Sequence, residues 1–547
     1  MRVVIVGGVA GGMSCATRLR RLDADAQIVV LERSGHVSYA NCGLPYYVGG
    51  VIEERSSLLL QTPESLFERF RIDVRVRHEV VAVDAKVRRV TVVNHDTGET
   101  SSVDYDVLVL SPGASPIIPP IPGITRALPL RNVEDVERMS LAVALTPRHA
   151  VVIGGGFIGV EVAENLRHRG VDTTIVDVAA QVLDPLDPEM AQLAAEELTR
   201  NGVKLHLGAA VVAVHPDAVE LDSGELLPAD LVVVAIGMRP ETGLARDAGL
   251  TIGLRGGIAV DDFHRTSDHA IYAVGDAVEK FDALDGSSTL VPLANIANRQ
   301  GRVVADHIAR RPVRPLPVIG TVIVKVFGLT IAATGWNEKR LVAAGRTPVV
   351  IHAHPGSHAA YYPGAKDMAL KLLIDPTDGT ILGAQGVGPE GVDKRIDVLA
   401  TAIRGGITAP ELADLELAYA PPFSSAKDPV NMLGYIAENV LTGLVRTVQW
   451  SEVGAMQEAG AQVVDVRTAK EFAGGSIPGA VNIPLDELRE RLDEFQADHV
   501  IVTCQVGKRG HTAVTLLNEL GVGASNLDGG YETWRHSPRA KWLHPVG

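Results

Sequence analysis

The sequence predicts an α/β protein in which two dinucleotide-type units are nested, followed by a strand-rich α+β module and a last α/β module. Three observations carry this. A run of strand, glycine-rich turn, helix, strand and acidic residue begins at Val3 and recurs at Val151. Two short apolar runs, 105–114 and 270–277, read as later strands of the first unit, which places the second unit inside it. The strand-and-turn pattern then restarts after Arg446. At 547 residues the chain is too long for one core, since domains run to about 100–200 residues. The boundaries expected are 1–112 and 246–320 for the first unit, 113–245 for the second, 321–445 for the third module and 446–547 for the last.

Composition narrows the function. Lys plus Arg is 51 against 66 for Asp plus Glu, a formal net charge of −15, which argues against general nucleic-acid binding but leaves room for a local basic pocket. Three cysteines, Cys15, Cys42 and Cys504, are odd in number and far apart. They make no disulfide framework and suit a reducing cytoplasm. Residues 1–8 turn from a short apolar run into glycines and read as a buried parallel strand, not a secretory segment. No run of about 18 apolar residues is present, so no membrane span is expected.

In the first unit, 3–6 is a strand, Gly7-Gly8-Val9-Ala10-Gly11-Gly12 a tight turn, 13–22 a helix and 27–31 a strand ending at Glu32. Such turns bring backbone N–H groups to a pyrophosphate at the helix N-terminus, and the acid accepts hydrogen bonds from a ribose. This is a Rossmann-like pattern, with Val9 standing where the middle glycine usually does. Cys15 lies inside the helix and reads as core. Asp276, closing the 270–277 strand, is open between flavin ribityl contact and turn capping. In the second unit, Gly154, Gly156 and Gly159 have full G-x-G-x-x-G spacing, and strand 173–176 ends at Asp177. That carboxylate suits a ribose 2′-hydroxyl, and no Arg or Lys follows in 178–187 to hold a 2′-phosphate, so NADH is favoured over NADPH. Two nested nucleotide folds imply electrons passing from nicotinamide to a second cofactor, FAD.

Between them lies Ser38-Tyr39-Ala40-Asn41-Cys42-Gly43-Leu44-Pro45. A lone thiol is by default a small buried hydrophobe. Polar Ser38 and Asn41, and a Gly-Leu-Pro able to open a helix whose positive end favours a thiolate, make Cys42 the expected redox centre.

With the paired glycine turns, Tyr272-Ala273-Val274-Gly275-Asp276 and this thiol segment, residues 1–440 resemble the pyridine nucleotide-disulfide oxidoreductases. The resemblance is to their single-cysteine branch of coenzyme A-disulfide reductases, NADH oxidases and NADH peroxidases, because position 47, where a second cysteine would fall, is Tyr47. The histidine of the peroxidase and oxidase turn is here Ala10, which brings the chain nearer the coenzyme A-disulfide reductases. The resemblance implies FAD and NAD(P)H contacts at Gly7, Gly11, Gly12, Glu32, Arg33, Ser111, Gly113, Gly154, Gly156, Gly159, Asp177, Gly275, Asp276 and Ala294. It implies coenzyme A, as substrate or tightly held ligand, at Ser14, Arg18, Arg21, Ser38, Asn41, Asn298 and Lys427. Arg18 and Arg21, three apart on one helix face, suit its phosphates.

The third module alternates strands at 321–327, 331–334 and 368–374 with Gly/Pro turns and ends in a helix over 391–404. By resemblance it is a dimerisation domain whose Tyr419, and one of Tyr361 and Tyr362, reach the partner's flavin and thiol in a homodimer. A phenol there could donate to a leaving thiolate. His352, His354 and His358 read as exposed polar positions and not as a metal site.

In the last module, strand 463–467 and the Ile477-Pro478-Gly479-Ala480 turn precede strand 500–503, which runs into Cys504-Gln505-Val506-Gly507-Lys508-Arg509-Gly510 and a helix to about residue 520. A cysteine between a strand and a helix N-terminus is ringed by backbone N–H groups that favour a thiolate or persulfide anion. The segment resembles rhodanese sulfurtransferase domains, with Gln505, Gly507, Lys508 and Arg509 in the persulfide loop. The combination is that of the coenzyme A-disulfide reductase–rhodanese fusions. It implies reduction of CoA disulfide, CoA persulfide or polysulfide at Cys42, with sulfane sulfur handled at Cys504. The alternatives are an NADH oxidase cycling Cys42 through a sulfenic acid, and a sulfur-transfer or sensing protein.

Overall fold

The computed structural model describes residues 1–495 and 497–538. The chain divides into two compact units, Met1–Val178 with Gly202–Val318, and Ala179–Asn201 with Ile319–Gly547. Among the described residues no helix is long and apolar enough to cross a membrane.

The first unit holds two parallel sheets. Strand β1 (Arg2–Val6) leads through helix α1 (Ala10–Leu22) to β2 (Gln27–Leu31), then α2 (Leu44–Val48), β3 (Asp73–Arg75) and β4 (Val107–Leu110). The second sheet begins with β5 (His149–Ile153), helix α3 (Phe157–His168) and β6 (Asp172–Asp177). The chain then leaves for the second unit through α4 (Pro188–Arg200) and returns as β7 (Lys204–Leu207) and β8 (Leu231–Val234). Finally β9 (Ile271–Ala273) rejoins the first sheet, and α5 (Ala294–Ile308) covers it. The strand orders are β9-β4-β1-β2-β3 and β7-β6-β5-β8, all parallel. Runs such as Val3-Val4-Ile5-Val6 are buried on both faces: Val3 and Ile5 share a core with α1, while Val4 and Val6 share one with the antiparallel strands His78–Asp84 and Arg89–Asn94.

Helix α1 starts at Ala10, three residues before the sequence pattern suggests, because Met13 N–H already bonds to the carbonyl of Val9 at 3.1 Å. It lies so close to α5 that a Cβ on Gly301 would sit 2.9 Å from the backbone nitrogen of Cys15. Cys15 is fully buried, and burial pushes its thiol up to about 12, as expected of a core residue.

The second unit contains an antiparallel sheet of β10 (Val322–Val326), β11 (Leu329–Gly335), β12 (Val349–Ala353), β13 (Ala369–Ile374) and β14 (Ile381–Gly388), in the order β10-β11-β14-β13-β12. Helices α6 (Val392–Gly405) and α7 (Pro429–Leu441) complete this core. A parallel sheet follows: β15 (Thr447–Val448), β16 (Gln462–Asp465), β17 (Val481–Asn482), β18 (Val500–Thr503) and β19 (Ala524–Leu527), ordered β15-β19-β18-β16-β17. Helices α8 (Lys508–Glu519) and α9 (Gly530–Arg535) flank it.

The three histidines expected as exposed are not. Strand β12 ends at Ala353, so only His352 lies on it. His352 and His358 are buried and His354 is half-buried. The cause is long-range packing: the ring of His352 sits between Asp528 (2.7 Å) and Glu189 (2.9 Å), and His354 Nε2 lies 2.7 Å from Thr533 Oγ1. Beside them Lys371, fully buried on β13, reaches Asp187 at 3.0 Å, Glu189 at 2.5 Å and Glu338 at 2.6 Å. Those three carboxylates are close enough together to ligate a metal, but the ammonium occupies their centre. Burial would push Lys371 down, yet the three carboxylates outweigh it and hold it raised. Removing the cation from this site strands buried negative charge. Lys371→Met is therefore expected to destabilise the protein by about 3–5 kcal/mol, read as the loss in denaturant unfolding.

Candidate active site

The two glycine turns solve one steric problem in the same way. Gly7 and Gly154 have φ of +96° and +109°, and a Cβ on either would strike the carbonyl of the neighbouring strand end, Ser111 or Ala235. A Cβ on Gly12 or Gly159 would strike the carbonyl of Gly7 or Gly154, so each helix can pack only on a bare turn. Gly156 differs: its Cβ would meet no protein atom within 4 Å, at the N-terminus of α3 where a pyrophosphate would lie. Its counterpart Val9 has a φ of −110°, outside the left-handed region that favours glycine.

Both strand-end acids are held by backbone N–H groups. Glu32, 7% exposed, accepts from the N–H of Gly8 (2.8 Å) and of Ser34 (2.9 Å). Asp177 accepts from the N–H of Gly155 at 2.5 Å. A third acid, Asp276, sits in a turn after β9 pinned from below by two residues that sequence reasoning missed. Buried Lys280 donates to the carbonyls of Gly275 and Val278, both 2.8 Å, and Gln300 accepts from the N–H of Gly275 at 2.8 Å. Burial pushes Asp276 up, against Lys280 and Arg131. The Ser111 Oγ would lie 3.2 Å from a Cβ on Gly11, Gly113 borders Arg131, and Ala294 opens α5. Arg33 makes only an exposed 3.4 Å pair with Glu241. Glycine turns, ribose-type acids and a buried carboxylate on a pinned turn fit two dinucleotides.

The thiol segment is fastened to the first glycine turn and to the helix that follows the second. Ser38 takes a left-handed φ of 48°, rare for serine, and its N–H donates to the carbonyl of Gly8 at 2.8 Å. Downstream, Tyr46 donates from its hydroxyl to Glu161 Oε1 of α3 at 3.0 Å. A Cβ on Gly49 would press on Asn165, also of α3. Cys42 is exposed between these anchors, its N–H donating to Asn41 Oδ1 at 3.1 Å. The expected thiolate-favouring helix end is a correction. Helix α2 has five residues, and partial burial with the charges of Glu161 and Asp276 pushes the Cys42 thiol up instead. Glu161 is itself pushed up, by burial first and by Glu164, against the pull of the Tyr46 hydrogen bond.

Ser14 Oγ donates to Asn298 Oδ1 at 2.9 Å, joining α1 to α5. Arg18 is already engaged, with Nη2 2.7 Å from Asp306, whereas exposed Arg21 lies over the Phe70 ring at 5.6 Å. In the second unit the Tyr361 and Tyr419 hydroxyls are 2.6 Å apart and both rings are exposed. Tyr362 packs edge-on against His358, so Tyr361 is the doublet member paired with Tyr419. The ammonium of Lys427 lies over the Tyr435 ring at 5.6 Å.

Cys504 is 1% exposed at the end of β18, and the loop after it turns at Gly507 (φ +85°) into α8. Gln505 is clamped between Arg467 (3.0 Å) and Glu532 (2.8 Å). Buried Arg467 also pairs with Asp465 at 2.7 Å and lies 4.3 Å over the Tyr531 ring. Arg509 is tied to Glu471 at 2.6 Å, which leaves exposed Lys508 as the other loop cation.

This geometry is shared. The chain belongs to the pyridine nucleotide-disulphide oxidoreductase family, whose pattern matches residues 1–301, with its dimerisation domain at 321–429 and a rhodanese-like domain at 449–537. It is thus a flavin-dependent pyridine-nucleotide oxidoreductase with a rhodanese module. Coenzyme A disulfide reductase of Staphylococcus haemolyticus is 35% identical over 441 residues, 80% of this chain and 100% of that protein. Among solved structures, reduced CoADR-RHD of Bacillus anthracis is 48% identical with a TM-score of 0.96, covering 98% of each chain. The NAD-dependent persulfide reductase of A. fulgidus is 38% identical with a TM-score of 0.92, covering 98% of this chain and 100% of that one.

Two predictions follow from this geometry. Gly156→Ala should raise the KM for NADH by about tenfold, roughly 1.4 kcal/mol, with Tm unchanged, whereas Gly159→Ala should lower Tm. Steady-state kinetics with thermal melts separates them. Because the Glu161 charge opposes the thiolate, Glu161→Gln should move the pH midpoint of Cys42 alkylation downward. Iodoacetamide rates against pH, in NADH-reduced protein carrying Cys504→Ser, report this, and an unmoved midpoint would contradict it.

Proposed function

We propose that this chain is an NADH-dependent reductase of CoA disulfide or CoA persulfide, with Cys42 as the reacting thiol and Cys504 as the carrier of sulfane sulfur. The observation that carries the reading is a lone exposed thiol anchored to the first dinucleotide turn and to the helix after the second, in one chain with a second thiol seated in a loop at a helix N-terminus. The similarity to a persulfide reductase and a CoADR-RHD along nearly the whole chain supports it.

With no second cysteine at position 47, the disulfide partner of Cys42 comes from outside the chain. The Cys42 thiolate attacks one sulfur of CoA disulfide, forming a Cys42–S–S–CoA bond as a CoA thiolate leaves. FAD, when bound, supplies the electron pair from NADH that reopens this mixed disulfide. Ser14, Ser38, Asn41 and Asn298 are the contacts proposed for CoA, with Arg21 and Lys427 for its phosphates. Arg18 joins them only by exchanging Asp306 for phosphate.

At the other thiol, Cys504–S–SH passes its outer sulfur to CoA thiolate, giving CoA persulfide and free Cys504. The dimerisation domain and the exposed Tyr361–Tyr419 pair support a homodimer in which that pair completes the partner's site. The Asp177 carboxylate supports NADH over NADPH. Three unpaired cysteines fit the cytoplasm.

Cys42→Ser should abolish NADH-linked turnover of both CoA substrates. Cys504→Ser should spare CoA disulfide reduction and abolish sulfane transfer. Coupled NADH assays on each substrate, with an oxygen-only control, test this. Faster NADH loss with oxygen alone would favour an oxidase, and sulfur transfer without NADH turnover a sensing protein.

A further inference from the structure

We propose that His352, on the antiparallel sheet, is a positioning residue for the sulfur-carrying loop: a doubly protonated bridge that fixes the Asp528-Gly529-Gly530 turn beneath Cys504. The proposal rests on the reading of Cys504 as the sulfane carrier. His352 Nδ1 faces Asp528 Oδ2 at 2.7 Å and Nε2 faces Glu189 Oε1 at 2.9 Å. Ionised carboxylates only accept, so both ring nitrogens must carry protons and the ring is an imidazolium. The backbone N–H of His352 also donates to Asp528 Oδ2 at 2.8 Å, and Gln449 Nε2 adds a longer contact at 3.3 Å. On its other side Glu189 is held by Lys371 at 2.5 Å, so the bridge is anchored in the most deeply buried charges of this unit.

From Asp528 the chain runs directly under the loop. Gly529 and Gly530 take φ of +66° and +64°. A Cβ on Gly529 would come within 2.8 Å of His352 Cβ. One on Gly530 would come within 2.5 Å of the Cys504 carbonyl and 2.7 Å of the Gly507 nitrogen. The turn is therefore sandwiched between the histidine and the loop, with no room for a side chain on either side. At its exit the N–H groups of Tyr531 and Glu532 donate to the carbonyls of Cys504 (2.8 Å) and Gln505 (2.9 Å). Because trans peptides are planar, tying those two carbonyls to α9 turns the N–H groups of Gln505 and Val506 to the opposite side. Donors aligned this way are what stabilises a sulfur anion. His352 thus acts on sulfur chemistry through Asp528 without touching the sulfur.

The reaction that reads this is sulfur transfer from thiosulfate to cyanide. The Cys504 thiolate takes the outer sulfur, releasing sulfite and leaving Cys504–S–S⁻. Cyanide then removes that sulfur as thiocyanate and restores the thiolate. The test uses the full-length flavin-loaded protein, with NADH-linked CoA disulfide reduction measured in parallel. An Asn amide nitrogen reaches the Nδ1 position and keeps the bond to Asp528, while a Gln nitrogen reaches the Nε2 position and loses it. His352→Gln should lower kcat for transfer by about tenfold with KM for thiosulfate within about twofold, and His352→Asn should recover to within about threefold of wild type. CoA disulfide reduction should stay within about twofold in both variants. If His352→Gln does not fold, Asp528→Asn carries the same expectation of lost transfer with reduction kept. Wild-type transfer in His352→Gln, equal loss in both variants, or reduction falling in step with transfer overturns the proposal. Wild-type protein unable to transfer sulfur removes the Cys504 reading itself, and the proposal with it.

Discussion

The second unit is arranged around the ammonium of Lys371. A buried cation costs several kcal/mol in lost hydration unless opposite charge surrounds it. Here three carboxylates, Asp187, Glu189 and Glu338, come from two separate stretches of chain to do so. Burial alone would push Glu189 up, but Lys371 and His352 outweigh it and hold it below the usual carboxylate range. Burial would likewise push His352 down, yet Asp528 and Glu189 raise it to about 9. One chain of alternating charge therefore ties α4, the antiparallel sheet and the start of the Cys504 turn. Breaking any link leaves an unpaired charge in a dry site, which is why the link specifies one arrangement.

The first unit meets a different constraint, the placement of one thiol relative to two dinucleotide turns. Ser38 at a strained φ is bonded to the first turn's Gly8, and Tyr46 and Gly49 are packed on the helix of the second. The thiol between them is solvent-accessible and disfavoured as a thiolate by Glu161 and Asp276. Position 47, where a second cysteine would fall, is Tyr47. Cys504, by contrast, is buried, and its loop is fixed by backbone bonds to α9.

Much of this was legible in the sequence because its signals are local. Glycine spacing, the acids at strand ends, the lone Cys42 and the strand–Cys504–glycine–helix order all lie within a few residues of the features they create. What was not legible depends on partners far along the chain. His352 read as an exposed polar residue, since its two carboxylates lie 163 and 176 positions away. Arg18 read as a free phosphate ligand, since Asp306 is 288 positions on. The Cys42 thiol read as favoured by a helix end, because neither the five-residue length of α2 nor the approach of Glu161 can be seen in a linear pattern. The tyrosine doublet was ambiguous until Tyr361 was placed against Tyr419.

The proposed function requires that sulfur held at Cys504 pass to CoA and that the resulting CoA persulfide be reduced at Cys42, which frees the sulfur as sulfide. It is tested most directly by loading the full-length protein with radiolabelled sulfane sulfur at Cys504, removing excess donor, and following the label. Release of labelled sulfide that requires CoA and NADH together is the predicted result. Release with NADH but without CoA, or label that stays on the protein when both are present, would contradict it.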